Sequence, residues 1–130
     1  MFKENRGKWH VEHYPKHASR QFTVGMLVTW DGAGRLTPAI AATTAAEIVG
    51  ICKEAIPASD SSNAEIAVSV PARGARMECN DVNGTITAAM VGKKYNLTNS
   101  NEVNVAASTV GTVRLTDRIS ATKGIFRLAR

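Results

Sequence analysis

Aromatic side chains are scarce in this sequence, at 5% of residues, and cysteine is scarcer still, with two. Cys52 and Cys79 are too few for a disulfide-dense scaffold, and their spacing matches no four-ligand zinc pattern. They read as buried thiols, with a single bridge left open. No run of about 20 apolar residues occurs, which excludes a spanning helix. Lys3, Glu4, Arg6, Lys8 and Glu12 leave no room for the apolar stretch of a secretory signal. Nothing marks export or membrane anchoring. Catalytic signatures are missing too. There is no Gly-x-Ser-x-Gly elbow, Gly32-Ala33-Gly34 is too short for a dinucleotide fingerprint, and Gly92-Lys93-Lys94 lacks the preceding glycine of a phosphate loop. Acidic residues are scattered singly. With no nucleophile, base or metal set to assign, the chain reads as non-enzymatic and free of cofactors.

What is present fits one ordinary domain. A chain of 130 residues buries roughly two-thirds of its unfolded surface. The apolar fraction is 44%, but much of it is alanine, so a slender core is expected. The net charge of +5 is unevenly spread: residues 1–20 carry five basic and two acidic groups, residues 21–72 two and five, and residues 73–130 nine and four. Phe2, Trp9, Tyr14, Phe22 and Trp30 crowd the first thirty residues, and only Tyr95 and Phe126 follow.

From Phe22 the sequence alternates. Phe22, Val24, Met26, Val28 and Trp30 form the apolar face of a strand. Asp31-Gly32-Ala33-Gly34 supplies a tight turn, with Arg35-Leu36-Thr37 returning as the second arm of a hairpin. Ala41–Ala46 has room for one helical turn. Glu47–Ile56 reads as a strand in which Gly50 marks a bulge or a close backbone approach. Ile66, Val68 and Val70 define another strand that stops at Pro71. Ala75–Cys79 is short and extended, and Asn80–Gly84 is a turn. Ile86, Ala88 and Met90 alternate again, followed by extended segments at Tyr95–Thr98, Val103–Val110, Thr112–Thr116 and Gly124–Leu128. About one turn every ten residues suits an all-β sandwich or barrel and leaves little room for α/β units.

Residues 1–21 fit none of this. They lack clean alternation and are interrupted by Pro15, yet they carry Phe2, Trp9 and Tyr14, which a merely solvating tail does not need. They read as an arm that orders against something, ahead of an all-β domain spanning residues 22–130. His10, His13 and His17 share a face only on a helix, which Pro15 would penalise by about 3 kcal/mol, so they read as surface or interface histidines. A basic all-β chain also raises a single-stranded nucleic-acid-binding barrel, with Lys93, Lys94, Arg114, Arg118, Lys123, Arg127 and Arg130 lining a phosphate path. Against it, the rings lie on or beside the arm, and Phe22 and Trp30 fall on a core-facing side. A solvated face is the default for the charges.

The order Gly25-Met26-Leu27-Val28, Trp30-Asp31-Gly32, Leu36-Thr37-Pro38-Ala39, Glu47-Ile48-Val49-Gly50-Ile51-Cys52, Ala67-Val68-Ser69-Val70 and Gly92-Lys93-Lys94-Tyr95-Asn96-Leu97 resembles the capsid decoration, or cement, proteins of tailed bacteriophages. The likeness covers about residues 22–128. It implies a compact β-barrel or β-tulip domain, made in the host cytoplasm, that joins the exterior of the virion. It implies contacts with the major capsid protein and with other copies of itself, commonly as a homotrimer, and no catalysis. An arm of this kind adds to a sheet edge on its partner through main-chain bonds. Phe2, Lys3, Arg6, Lys8, Trp9, His10, Tyr14, Lys16 and Arg20 are the expected partner-binding residues. Trp9 and Tyr14 would be the anchors and the cations would meet acidic surface. Ordering such an arm costs on the order of 1–2 kcal/mol per residue, so it is expected to be disordered in the free protein.

Overall fold

A computed structural model describes residues Met1 to Arg130. Its strands are β1 (Phe2–Arg6), β2 (Trp9–Pro15), β3 (Leu27–Trp30), β4 (Leu36–Pro38), β5 (Ile48–Cys52), β6 (Glu65–Pro71), β7 (Arg76–Cys79), β8 (Val82–Asn83), β9 (Lys94–Asn99), β10 (Glu102–Asn104), β11 (Val113–Arg118) and β12 (Gly124–Leu128). Local chemistry sets their limits. The Asp31 carboxylate accepts the Ala33 and Arg35 N–H groups at 2.7 and 3.2 Å, which closes the β3–β4 turn. A single 3-10 turn at Ala45–Glu47 leads into β5. There the Glu47 carboxylate accepts the Thr44 N–H at 2.9 Å and its hydroxyl at 2.7 Å, a compact start signal. A methyl group at Gly50 would collide with the Ser69 carbonyl oxygen, so the close approach of β5 to β6 needs glycine.

The chain is all-β and forms two sheets, a seven-stranded one ordered β1-β7-β12-β11-β9-β10-β8 and a five-stranded one ordered β2-β6-β5-β3-β4. They pack in sandwich fashion over a 16-residue core that includes Phe2, Leu27, Ile51, Met77, Tyr95, Leu97, Leu115 and Phe126. The expected barrel is not formed: no ladder closes either sheet. The five-stranded sheet nevertheless curls around a second cluster of Phe22, Met26, Val28, Leu36, Cys52, Ile66 and Val68. One parallel bridge, Lys16 to Leu36, draws its two edges together, with the His17 N–H donating to the Leu36 carbonyl at 2.8 Å. Both faces of this sheet are therefore apolar in part, and Leu27 and Val28, adjacent in sequence, serve different clusters.

The N-terminal segment departs most from expectation. It is neither irregular nor separate from the domain. β1 pairs with β7 and β2 with β6, so residues 2–15 run beside residues 65–79 through both sheets. The chain bends between the sheets at Gly7, whose φ is +87° and where a side chain would meet the Ala75 Cα at 2.8 Å. Beside it the Ala72 N–H donates to the Lys8 carbonyl at 2.9 Å. Sequence periodicity hides these strands because their outer sides face solvent: β1 after Phe2 is wholly exposed. Pro15 is tolerated because β2 is a terminal strand. The boundary expected at residues 21 and 22 is thus crossed by the core itself.

Smaller differences follow from tertiary context. Only Leu27–Trp30 of the Phe22–Trp30 run is a strand, and Phe22 makes an isolated bridge to Ile56. Trp30 is 43% exposed instead of buried. Ala88–Met90 is a 3-10 turn, and the segment beginning at Val103 leaves its strand at Asn104.

Candidate functional site

The nine residues expected to meet a partner fall into three groups. Phe2 is 1% exposed and sits in the main core, and Lys16 is 0% exposed, so neither is free to meet another molecule. The stem of Lys16 is enclosed while its ammonium donates to the Ser62 carbonyl at 2.6 Å and the Asp60 carbonyl at 3.3 Å, with the Asp60 carboxylate at 3.5 Å. It pins the 57–63 loop. Trp9 and Tyr14 are half-buried. Trp9 packs against the main core and donates from Nε1 to the Arg6 carbonyl at 3.2 Å. Tyr14 meets Trp30 edge-to-face, with ring centroids 5.0 Å apart and planes at 75°. Lys3, Arg6, Lys8, His10 and Arg20 remain exposed.

His10 and His13 lie three apart on a strand and so project to opposite faces. No group of three or more His, Cys, Asp or Glu side chains is placed to hold a metal ion. Asp31 follows Trp30 in the chain, with Arg35 Nε 3.0 Å and His17 Nε2 4.0 Å from its Oδ2. Desolvation works against the Asp31 charge. The Ala33 and Arg35 N–H groups and the Arg35 guanidinium outweigh it and hold the carboxyl below its ordinary value. Burial pushes the Cys52 and Cys79 thiols up, away from reactivity, and both are free.

The register of the seven-stranded sheet creates a feature that the sequence does not announce. Arg6 lies opposite Arg76, Arg76 opposite Arg127, Arg127 opposite Arg114, and Arg114 opposite Lys94. Five cations thus form one row across β1, β7, β12, β11 and β9. Directly paired residues share a face, and the alternating neighbours Met77, Phe126, Leu115, Val113 and Tyr95 all belong to the core, so the row points outward. At a strand spacing of 4.7–4.9 Å it is about 19 Å long. Like charges in direct opposition destabilise a sheet by up to about 1 kcal/mol per pair.

Compensation along the row is incomplete. Arg76 pairs with Asp117 at 3.3 Å, and in the adjoining row Lys3 pairs with Glu78 at 3.6 Å. Arg114 donates from one guanidinium nitrogen to the Gly92 carbonyl, while its buried Nε has no acceptor. Arg6, Lys94 and Arg127 make no side-chain ion pair. The row ends in a shallow depression lined by Gly92, Lys93, Lys94, Tyr95, Ser108 and Arg114. The sequence singles out four of its members, Arg6, Lys94, Arg114 and Arg127, in two different roles, but only pairing between distant segments aligns all five.

No helix is long and apolar enough to cross a membrane. No known family model matches the chain, and no curated protein matches its sequence.

Proposed function

We propose that this chain is a non-enzymatic structural protein that binds the outer surface of an assembled bacteriophage capsid and stabilises it. Its contacts are with the major capsid protein and with neighbouring copies of itself, arranged as homotrimers on the shell. The observation that carries the reading is the N-terminal segment, which is the terminal strand of both sheets and presents Lys3, Arg6, Lys8 and His10 to solvent. Such an edge offers main-chain donors and acceptors to a partner strand, and its cations favour an acidic partner. The order of segments resembling decoration proteins supports the same reading. Docking then uses a preformed edge. That removes most of the ordering cost a free arm would carry, and many copies on a symmetric shell make weak single contacts add up.

Co-sedimentation with heads assembled from the cognate major capsid protein tests the proposal. Saturable binding that weakens with salt and falls in a Lys3→Glu/Lys8→Glu variant is expected. Absence of binding at about 50 mM salt, where exposed charges are least screened, would refute it. The alternative, a single-stranded nucleic-acid binder, requires oligonucleotides to quench tryptophan fluorescence with a steep salt dependence.

A further inference from the structure

We propose that the outward face of the seven-stranded sheet docks against an acidic protein surface, whose carboxylates meet the row Arg6, Arg76, Arg127, Arg114 and Lys94. The inference rests on the reading of the chain as a capsid-binding protein and names a second contact continuous with the first, because the row begins on the edge strand β1.

Three observations point to a partner. The row stacks like charges across five adjacent strands, an arrangement that intramolecular packing does not require and that only one carboxylate, Asp117, relieves by direct pairing. Arg114 spends one guanidinium nitrogen on the Gly92 carbonyl and pairs with no carboxylate. The charged groups of Arg127 and Lys94 pair with no carboxylate. Four of the five cations are arginine, whose planar fork pairs with carboxylates through two hydrogen bonds at once.

The choice of an acidic protein over a nucleic acid rests on what surrounds the row. Sequence-tolerant binding of single strands depends on rings that stack bases. The rings of this sheet, Phe2, Tyr95 and Phe126, all belong to its core and are at most 7% exposed. Glu78 and Asp117 flank the row on the same sheet. A uniformly negative phosphate chain meets repulsion there, whereas a protein surface can present carboxylates to the row and a neutral or basic group beside it. A facing sheet would repeat at the same strand spacing, about 4.8 Å.

Calorimetric titration with poly-L-glutamate at low salt reads the row directly. Lys94→Glu/Arg127→Glu alters two row members whose side chains make no hydrogen bond, and Arg73→Glu/Lys123→Glu makes the same change in net charge at two exposed residues outside the row. The expected result is a loss of about ten-fold or more for the row variant and less than about three-fold for the control, since non-specific attraction follows net charge alone. The neutral Lys94→Gln/Arg127→Gln variant, checked for a native circular dichroism spectrum, should fall in between. Equal losses in the row and control variants would overturn the inference. So would tighter binding of a (dT)20 oligonucleotide than of poly-L-glutamate through the same residues. Capsid co-sedimentation reports on the shell reading and the poly-L-glutamate comparison on the row, so the two failures are separable.

Discussion

Replacing Phe2 with alanine asks whether the N-terminal segment is part of the fold. The ring is 1% exposed and belongs to the 16-residue core, with its strand paired to β7 through the Phe2–Cys79 register. An aromatic side chain of this kind buries about 150–250 Å². At about 25 cal/mol per Å² that corresponds to roughly 4–6 kcal/mol, an upper bound because the denatured chain is itself partly compact. Measured Phe→Ala substitutions in cores cost about 3–5 kcal/mol. The substitution should therefore destabilise the protein by about 3–4 kcal/mol and lower the melting temperature by roughly 10–20 °C for a domain of this size. Urea denaturation followed by circular dichroism gives the free energy, and calorimetry the midpoint. Deleting residues 1–15 should go further and prevent folding, since it strips the terminal strand from both sheets and uncovers their cores. A loss below about 1 kcal/mol for Phe2→Ala would refute the reasoning and restore a detached arm, because a surface-exposed residue costs no more than about 0.5 kcal/mol.

Lys16→Met keeps the buried stem and removes the ammonium that holds the Ser62 and Asp60 carbonyls, so stability should fall by about 1–3 kcal/mol and proteolysis should concentrate in residues 57–63; unchanged stability and cleavage would contradict the clamp. Acid should destabilise the fold from a defined point. Glu47 is held below its ordinary value by the Thr44 N–H and then the Thr44 hydroxyl, and Asp60 by the Ser62 hydroxyl and then the Ser62 N–H, with Lys16 adding to it. Groups depressed in the folded state contribute fully above their ordinary values, 4.5 and 3.8, and lose that contribution as pH falls through the lower folded ones. The melting temperature should stay level down to about pH 5 and decline below about pH 4, and a rise in acid would contradict the assignment. Cys52 and Cys79 are fully buried and free, so a thiol reagent should find neither in the native protein and both after denaturation. Rapid labelling of the native protein would refute their burial.

Much of the fold was legible where burial is one-sided or turn chemistry is strong. Asp31–Gly34 marked its hairpin, Ile66, Val68 and Val70 marked β6, and Gly50 marked a close backbone approach. What was hidden has physical causes. β1 and β2 are terminal strands with exposed outer sides, so their residues do not alternate, and Pro15 looked like an interruption when it sits where a sheet tolerates it. Trp30 continued an apolar pattern but stands at the strand end, against Tyr14 on a non-adjacent strand that curling brings near. Lys16 looked like a surface cation because its enclosure depends on the bridge to Leu36 and on the distant 57–63 loop. Of the nine residues expected to meet a partner, Lys3, Arg6, Lys8, His10 and Arg20 are exposed, while Phe2 and Lys16 are buried. The cation row depends on a register among residues 6, 76, 94, 114 and 127, which no local pattern encodes.

Electron cryo-microscopy of purified particles carrying the protein tests the central claim most directly. The account expects density for this chain on the outer surface of the head, with the β1–β2 edge turned toward the major capsid protein. Density inside the head or at the tail, or an N-terminal edge turned outward to solvent, would contradict it.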